Sequence, residues 1–361
     1  MTNREKSPEP NLDRDLDRDL DIVTGASGFV GGALVPELLA RGRRVRAALL
    51  PGTELTPDQK ACFGSHPRFE AMAADVTCAE TLAPLLAGAA RVYHAAALVS
   101  AFAPYAEFER VNVGGTKNLC DASVAAGVDR LVVVSTSDVF GLPDSSDAVL
   151  TEASPYREWA EPYPDTKIEA ARLVQRYQRE GTLATTIIYP GWVYGPGDRA
   201  FLPAVAEMLR DGSAAVWGDG SRFEVSLVYI DDLVRGIADA GEAPVAIGDD
   251  FLLLDDASGT TTVELYRKLA GLLGSQAKVR QIPYVVAYVV AVASQWAARL
   301  GLVASPLLRT NDVKSFGYNF RFSAAKAATV LGWRAQVSTD DGLAKAVAWY
   351  RENVNGEHHP A

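Results

Sequence analysis

The 361-residue sequence predicts an α/β fold, a doubly wound parallel sheet with helices on both faces, on three observations. A short apolar run at 20–23 leads into the turn Thr24-Gly25-Ala26-Ser27-Gly28-Phe29-Val30-Gly31, and from there into 33–40, where Leu34, Leu38 and Leu39 share a helical face. Strand-like and helix-like stretches then alternate as far as Tyr189. Leu131, Val132, Val133 and Val134 stand in an unbroken row, as in a strand buried on both faces.

The opening turn divides its work among three glycines. Gly25 permits a tight turn, Gly28 lets backbone approach a pyrophosphate, and Gly31 lets the helix pack close on the strand. Free N–H groups at the helix start, with the positive end of its dipole, face the anion. The plain alternative is a packing turn with no ligand, which the strand and helix on either side disfavour. Asp21, in a strand position that is usually apolar, is expected to shorten or distort the first strand.

A second strand at 44–50 ends at Pro51-Gly52. Its end carries neither an acid for a ribose 2′-hydroxyl nor an arginine for a 2′-phosphate. A missing acid loses one hydrogen bond, on the order of 1 kcal/mol, whereas an unpaired buried phosphate loses more. The cofactor is therefore NAD or NADP with the balance toward NAD, unless Lys60 or Arg43 reaches in.

Residues 69–73 lead to Asp75-Val76, whose acid either meets an adenine edge or caps the next helix. Arg91-Val92-Tyr93 begins a fourth strand, followed by His94-Ala95-Ala96-Ala97, small residues that let backbone lie against a flat cofactor. His94 has no second ligand at metal spacing and is expected to be packed and hydrogen-bonded, so no metal is expected. On a helix at 108–126, Asn112 either bonds main chain, holds a water beneath the site, or is plain surface polarity. The strand at 130–135 ends in Ser135-Thr136-Ser137-Asp138-Val139-Phe140-Gly141, hydroxyls at the sheet edge where such folds place ligands.

The chemistry is read from Tyr163-Pro164-Asp165-Thr166-Lys167, followed by a helix at 168–180. Four residues make one helical turn, so phenol and ammonium share a face, and the cation is expected to lower the phenol pKa. Tyr163 can then exchange a proton with a carbonyl or alcohol oxygen as hydride moves, while Thr136 holds that oxygen. A chance pair on a solvated helix is the bland alternative. The hydroxyl-rich strand end and the glycine turn in the same chain argue against it.

A net charge of -10 without a basic cluster excludes nucleic acid as a partner. Cys62, Cys78 and Cys120, odd in number and unrelated in spacing, read as reduced, buried residues of a cytoplasmic protein. Residues 1–19 are polar, carry Asp-Arg-Asp-Leu twice, and read as a disordered tail without an apolar signal segment. The uncharged run at 281–298 contains Pro283 and Ser294-Gln295-Trp296. It reads as a buried or pocket-lining helix rather than a span or a membrane-associated one.

These motifs, with Pro190-Gly191-Trp192-Val193-Tyr194-Gly195-Pro196-Gly197, resemble the extended short-chain dehydrogenase/reductases (the NAD-dependent epimerase/dehydratase superfamily) from about residue 21 onward. The nearest branches are the 3β-hydroxysteroid dehydrogenase-like and dihydroflavonol reductase-like ones. The resemblance implies a Rossmann fold in which Tyr163 is the catalytic acid or base, Lys167 bonds the nicotinamide ribose, and Thr136 falls on the family's Ser/Thr position. It further implies cofactor contacts from Gly25, Ser27, Gly28, Phe29, Val30, Gly31, Asp75, Val76, Ala95, Ala96, Ala97, Asn112, Pro190, Gly191 and Val193, and a homodimer through the helices at 108–126 and 168–180. Tyr189 departs from the family pattern, standing where many members carry an arginine.

The strand order expected is 3-2-1-4-5-6, with a seventh strand at 251–254. Residues 20–190 plus about 227–255 form the dinucleotide-binding part. Residues of about 191–226 plus 256–361 form a smaller, discontinuous C-terminal substrate-binding part with helices at 201–210 and 263–273.

Sugar-nucleotide enzymes share the cofactor half, so the substrate half must discriminate. Many carry an arginine for the diphosphate at the place held here by Val225, before Ser226 and Val228-Tyr229-Ile230-Asp231-Asp232, although Arg222 is near. Tyr284, Tyr288 and Trp296 offer apolar walls, with ordinary core as their alternative. The reading is an NAD(P)-dependent oxidoreductase interconverting a ketone and a secondary alcohol on an apolar small molecule: steroid-like, polyketide-like or aromatic. The runner-up is a sugar-nucleotide epimerase or dehydratase. A non-catalytic cofactor-sensing regulator ranks third, since intact Tyr163, Lys167 and Thr136 speak against it.

Overall fold

The computed structural model describes residues 19–354 apart from 100–102, 146, 219, 221 and 304–305, and the side chains of 311, 312, 315 and 316. The sequence-predicted tail, Asp19 excepted, lies outside the described residues.

The central sheet consists of β1 (Leu20–Thr24), β2 (Arg44–Leu49), β3 (Phe69–Ala73), β4 (Arg91–His94), β5 (Arg130–Val134), β6 (Thr185–Pro190) and β7 (Asp250–Leu253). Their order is β3-β2-β1-β4-β5-β6-β7, every pair parallel, which is the expected Rossmann order with the seventh strand at the far edge. The order reverses direction between β1 and β4, and ligands of such sheets sit in the crevice at that switch point.

The longer helices are α1 (Phe29–Ala40), α2 (Gly115–Ala126), α3 (Pro162–Arg179), α4 (Phe201–Arg210), α5 (Ile230–Glu242), α6 (Thr262–Leu273), α7 (Tyr284–Arg299), α8 (Thr310–Gly317) and α9 (Thr339–Asn353). One face of the sheet buries Leu34 and Leu38 with Leu233 and Ile237, and the other buries Leu119, Ile168 and Val174. With both faces covered, β1, β5 and β6 are buried along their whole length, as the run of valines in β5 requires. Short parallel strand pairs lie outside the central sheet: Trp192–Tyr194 with Leu227–Tyr229, Ala215–Trp217 with Arg280–Ile282, and Val149–Leu150 with Arg321–Phe322.

The structure corrects the sequence reading at five places. Asp21 neither shortens nor distorts β1: it pairs in register with Val45 and Arg91, and its buried carboxylate takes two 3.0 Å bonds from Arg43 and one of 3.0 Å from Arg91. Two arginines from neighbouring strand ends offset part of the desolvation of one acid, whose pKa burial still raises.

The expected helix at 108–126 is instead Tyr105–Phe108, a π-type turn at Glu109–Gly114, and α2. Helix α3 starts earlier than the expected 168, because Pro162 and Pro164 sit in its first turn, where no N–H is needed. Among the cysteines only Cys120 is buried, since Cys62 falls in a turn on the outside.

Helix α7 is not a buried or pocket-lining helix. Ala287 and Ala291 are its buried residues, while Val285, Val286, Val289, Val290 and Trp296 are exposed. No helix among the described residues is long and apolar enough to cross a membrane.

Candidate active site

At the switch point the glycine turn is pressed onto the end of β4. Gly25 has φ +71°, and a Cβ there would lie 2.7 Å from the Ala96 nitrogen and 2.8 Å from the Ala95 carbonyl oxygen. The Ala96 N–H also donates to Thr24 Oγ1 at 3.3 Å, so the turn and the Ala95-Ala96-Ala97 stretch, all partly exposed, form one surface. A Cβ on Gly31 would meet the Gly25 carbonyl oxygen at 2.3 Å, so Gly31 is needed for α1 to start where it does.

Gly28 is different: it is exposed and caps α1 with no side-chain acceptor, and no acid stands in the helix's first turn. The leading N–H groups of α1 therefore keep their capacity for an anion. Ser27, Gly28 and Phe29 border a cleft shared with Pro196 and Gly197. Val30, partly buried, packs on the core below. These features fit the pyrophosphate of a dinucleotide.

The Asp75 carboxylate accepts from Thr77 N–H at 2.8 Å and Thr77 Oγ1 at 2.9 Å, holding the turn after β3. The Val76 carbonyl oxygen takes a 3.0 Å bond from Asn118, and Val76 lies so close to α2 that only a glycine fits at Gly115. His94 is fully engaged between Thr24 Oγ1 at 2.8 Å and Thr116 Oγ1 at 3.0 Å, and burial pushes its pKa down to about 3. It is packed and hydrogen-bonded, as expected.

Asn112, in the π-type turn, accepts from Leu98 N–H at 2.7 Å and donates to Thr166 Oγ1 at 3.1 Å. Of the options open to it, the main-chain one is realised. The same side chain ties the loop after β4 to the helix that carries Tyr163 and Lys167.

The catalytic candidates meet at the end of β5. Lys167, buried on α3, donates from Nζ to the Val134 carbonyl oxygen at 2.8 Å, and burial lowers its pKa to about 8. The hydroxyl of Thr136 accepts from the Asp138 N–H at 3.2 Å, capping the turn Ser137–Phe140. Tyr163 departs from expectation: burial, reinforced by the nearby Asp138, raises its pKa rather than lowering it. The phenol is held in its proton-donating form, the one a carbonyl acceptor needs. Burial likewise raises the carboxyl of Asp138, opposed by its bond to Thr136.

Beyond this point opens a cleft lined by Ser137, Asp138, Trp159, Trp192, Val225 and Ser226, with Tyr318, Phe320 and Phe322 opposite. Trp159 stacks on Phe320 at 5.8 Å between ring centroids, 21° from parallel, and its indole N–H donates 2.6 Å to the Asp138 carbonyl oxygen. Asp165, between Tyr163 and Lys167, accepts from Trp159 N–H at 2.7 Å and Glu161 N–H at 3.0 Å, clamping Ala160 at φ +58°.

Pro190, Gly191 and Val193 lie at the end of β6 and in the strand beside it. A Cβ on Gly191 would meet the Ser226 carbonyl oxygen at 2.4 Å, so that glycine serves the junction with the substrate part. Arg43 lies at the opposite end of the sheet on Asp21, and Lys60 pairs with Glu54 in the exposed segment after β2.

Sequence reasoning assigned no role to Asp138, Asp165, Trp159 or Phe320. Asp138 was visible in the hydroxyl-rich strand end. The aromatic pair comes from segments 161 residues apart (Trp159 and Phe320), with no local pattern to join them.

A doubly wound sheet with a glycine turn suited to an anion at its switch point, and a Tyr-Lys pair on a helix bonded to the strand that runs on to Thr136, fits a dinucleotide-dependent oxidoreductase of the short-chain type. The comparisons give the family. Residues 22–252 match the NAD dependent epimerase/dehydratase family, and the chain belongs to it, as an NAD(P)-dependent extended short-chain dehydrogenase/reductase.

Over 330 residues it is 33% identical to a 4-hydroxy-2-methyl-3-oxo-4-farnesyl-3,4-dihydroquinoline-1-oxide ketoreductase of Stigmatella aurantiaca, covering 89% of this chain and 94% of that protein. It is 28% identical over 356 residues to a 3-beta-hydroxysteroid dehydrogenase of Mycolicibacterium neoaurum, covering 95% and 94%. Among solved structures, a dTDP-glucose 4,6-dehydratase from Streptomyces venezuelae with NAD and TYD bound superposes with TM-score 0.74 at 28% identity, covering 93% and 98%.

Proposed function

We propose that this enzyme interconverts a ketone and a secondary alcohol on an apolar small molecule of steroid-like, polyketide-like or aromatic character. The carrying observation is the cleft beside Thr136: its walls are Trp159, Trp192, Phe320 and Phe322, and the ionisable side chains that line it, Asp138 and Glu224, are acids rather than the cations a diphosphate would pair with. The ketoreductase and hydroxysteroid dehydrogenase relatives support the same substrate class.

Gly25, Ser27, Gly28 and Gly31 hold the pyrophosphate, Asp75 and Val76 stand toward the adenine, and Lys167 bonds the nicotinamide ribose. Pro190, Gly191 and Val193 cover the ring, which when bound supplies or accepts a hydride. Tyr163 gives its proton to the carbonyl oxygen in reduction and removes it from the alcohol in oxidation. Thr136 orients the same oxygen. With Arg43 and Lys60 tied to Asp21 and Glu54, NAD is preferred to NADP. The enzyme works as a homodimer through α2 and α3.

The test follows absorbance near 340 nm with NADH and with NADPH against apolar ketones and UDP- and dTDP-sugars. Oxidation of NADH by an apolar ketone is expected. Conversion of a sugar nucleotide without net cofactor consumption would replace this reading with an epimerase or dehydratase.

A further inference from the structure

Helix α7 is built inside out for a soluble protein. Its small residues Ala287 and Ala291 face inward against Val313 of α8, and Ser294 donates 2.7 Å to the Leu308 carbonyl oxygen. Its large apolar residues face out: Val285 is 70% exposed, Val289 60%, Trp296 57% and Leu300 68%, with Val286 and Val290 exposed alongside. Positions 285, 289, 293, 296 and 300 advance by four, four, three and four, which is one helical stripe. After the helix the stripe continues in Leu302 and Leu307, 73% and 85% exposed. A contiguous apolar surface of this kind marks an interaction site.

The charge around it narrows the occupant. Residues 274–303, which carry α7 and its immediate flanks, contain the exposed cations Lys278, Arg280 and Arg299 and no aspartate or glutamate, in a chain whose net charge is -10. A second copy docking through this face by two-fold symmetry would set those cations against themselves. An anionic surface complements them, and a stripe of valines ended by a tryptophan beside an arginine, Arg299 over the Trp296 ring at 5.6 Å, is the chemistry of a bilayer interface.

We propose that the outer face of α7 docks the enzyme on an anionic lipid bilayer, lying in the interface without crossing it. The face is joined to the substrate cleft: Tyr284 at the start of α7 meets Tyr318 edge-on at 5.6 Å, and Tyr318 lines the cleft. An apolar substrate dissolved in the bilayer would reach the cleft along this aromatic edge. This last point rests on the apolar-substrate reading above, whereas the docking does not.

The experiment is co-flotation of the full chain with vesicles of phosphatidylcholine alone and of equal parts phosphatidylcholine and phosphatidylglycerol. Binding to the anionic vesicles is expected, about tenfold or more weaker on the neutral ones and weakened by salt. It should be lost in Val285→Asp/Val289→Asp, whose exposed positions leave the fold intact. Quenching of tryptophan fluorescence by brominated lipid should fall in Trp296→Phe.

Three results would each overturn the proposal. The first is no flotation with anionic vesicles, and the second is flotation untouched by the double substitution. The third is a dimer in sedimentation that the double substitution splits, with neither form binding vesicles; a second copy would then cover the face. Because no substrate enters the experiment, its failure is separable from failure of the ketone assay.

Discussion

The ammonium of Lys167 donates a 2.8 Å hydrogen bond to the carbonyl oxygen of Val134, the last residue of β5. That bond joins the helix carrying Tyr163 to the strand whose continuation carries Thr136. Replacing Tyr163 by Phe should reduce turnover by about 10²- to 10⁴-fold, the usual worth of a positioned acid or base. Dinucleotide binding, read by cofactor fluorescence, should persist. Full activity in Tyr163→Phe would remove the phenol from the mechanism.

Burial sets the Lys167 pKa at about 8, so in the free enzyme its charge is complete at pH 7 and lost as pH rises through that value. A plot of kcat/KM against pH should bend downward near pH 8. A rate level to pH 10 would show that the ammonium is not required. The same shift has a stability sign: the unfolded chain keeps the proton up to about pH 10.5, so the cost of burying Lys167 is present below pH 8 and fades between the two values.

For His94 the folded pKa of about 3 lies below the ordinary 6.5. The unfolded chain takes up a proton that the folded one refuses, so stability falls as pH drops from 6.5 toward 3, at about 1.4 kcal/mol per unit once the unfolded histidine is charged. Denaturant midpoints for wild type and His94→Gln at pH 7, 6 and 5 should converge on acidification. Parallel pH dependences would contradict a neutral buried imidazole.

Ala160 holds φ +58° because the Asp165 carboxylate takes the N–H groups on either side of it. Ala160→Gly should raise stability by about 1 kcal/mol by relieving the left-handed backbone. Asp165→Ala should lower it by about 2 kcal/mol through two unsatisfied donors. It should also raise KM for an apolar ketone more than it lowers kcat, since it frees Trp159 and leaves Tyr163 in place. An unchanged KM would detach Trp159 from the substrate.

Gly31→Ala brings a Cβ to within 2.3 Å of the Gly25 carbonyl oxygen, so α1 must move off the turn. A stability loss of about 1–3 kcal/mol is expected, with dinucleotide affinity falling alongside. Calorimetric titration with NAD is the direct check, and undiminished affinity would disprove the role given to this turn.

The strands, the glycine turn and the Tyr163-Lys167 pair were legible in the sequence because each is local, and the order of the sheet followed from the alternation of strands with helices. Strand periodicity, a left-handed glycine and a four-residue helical spacing are written in neighbouring residues. What the chain alone could not decide depends on distant partners. Asp21 sits undistorted in β1 only because Arg43 and Arg91 come from the adjacent strand ends. The Tyr163 pKa rises because folding buries the phenol near Asp138, a balance that spacing on one helix does not contain. The apolar run at 281–298 was readable as a helix but not as an exposed one, since burial belongs to the packing of α7 on α8 and not to its composition.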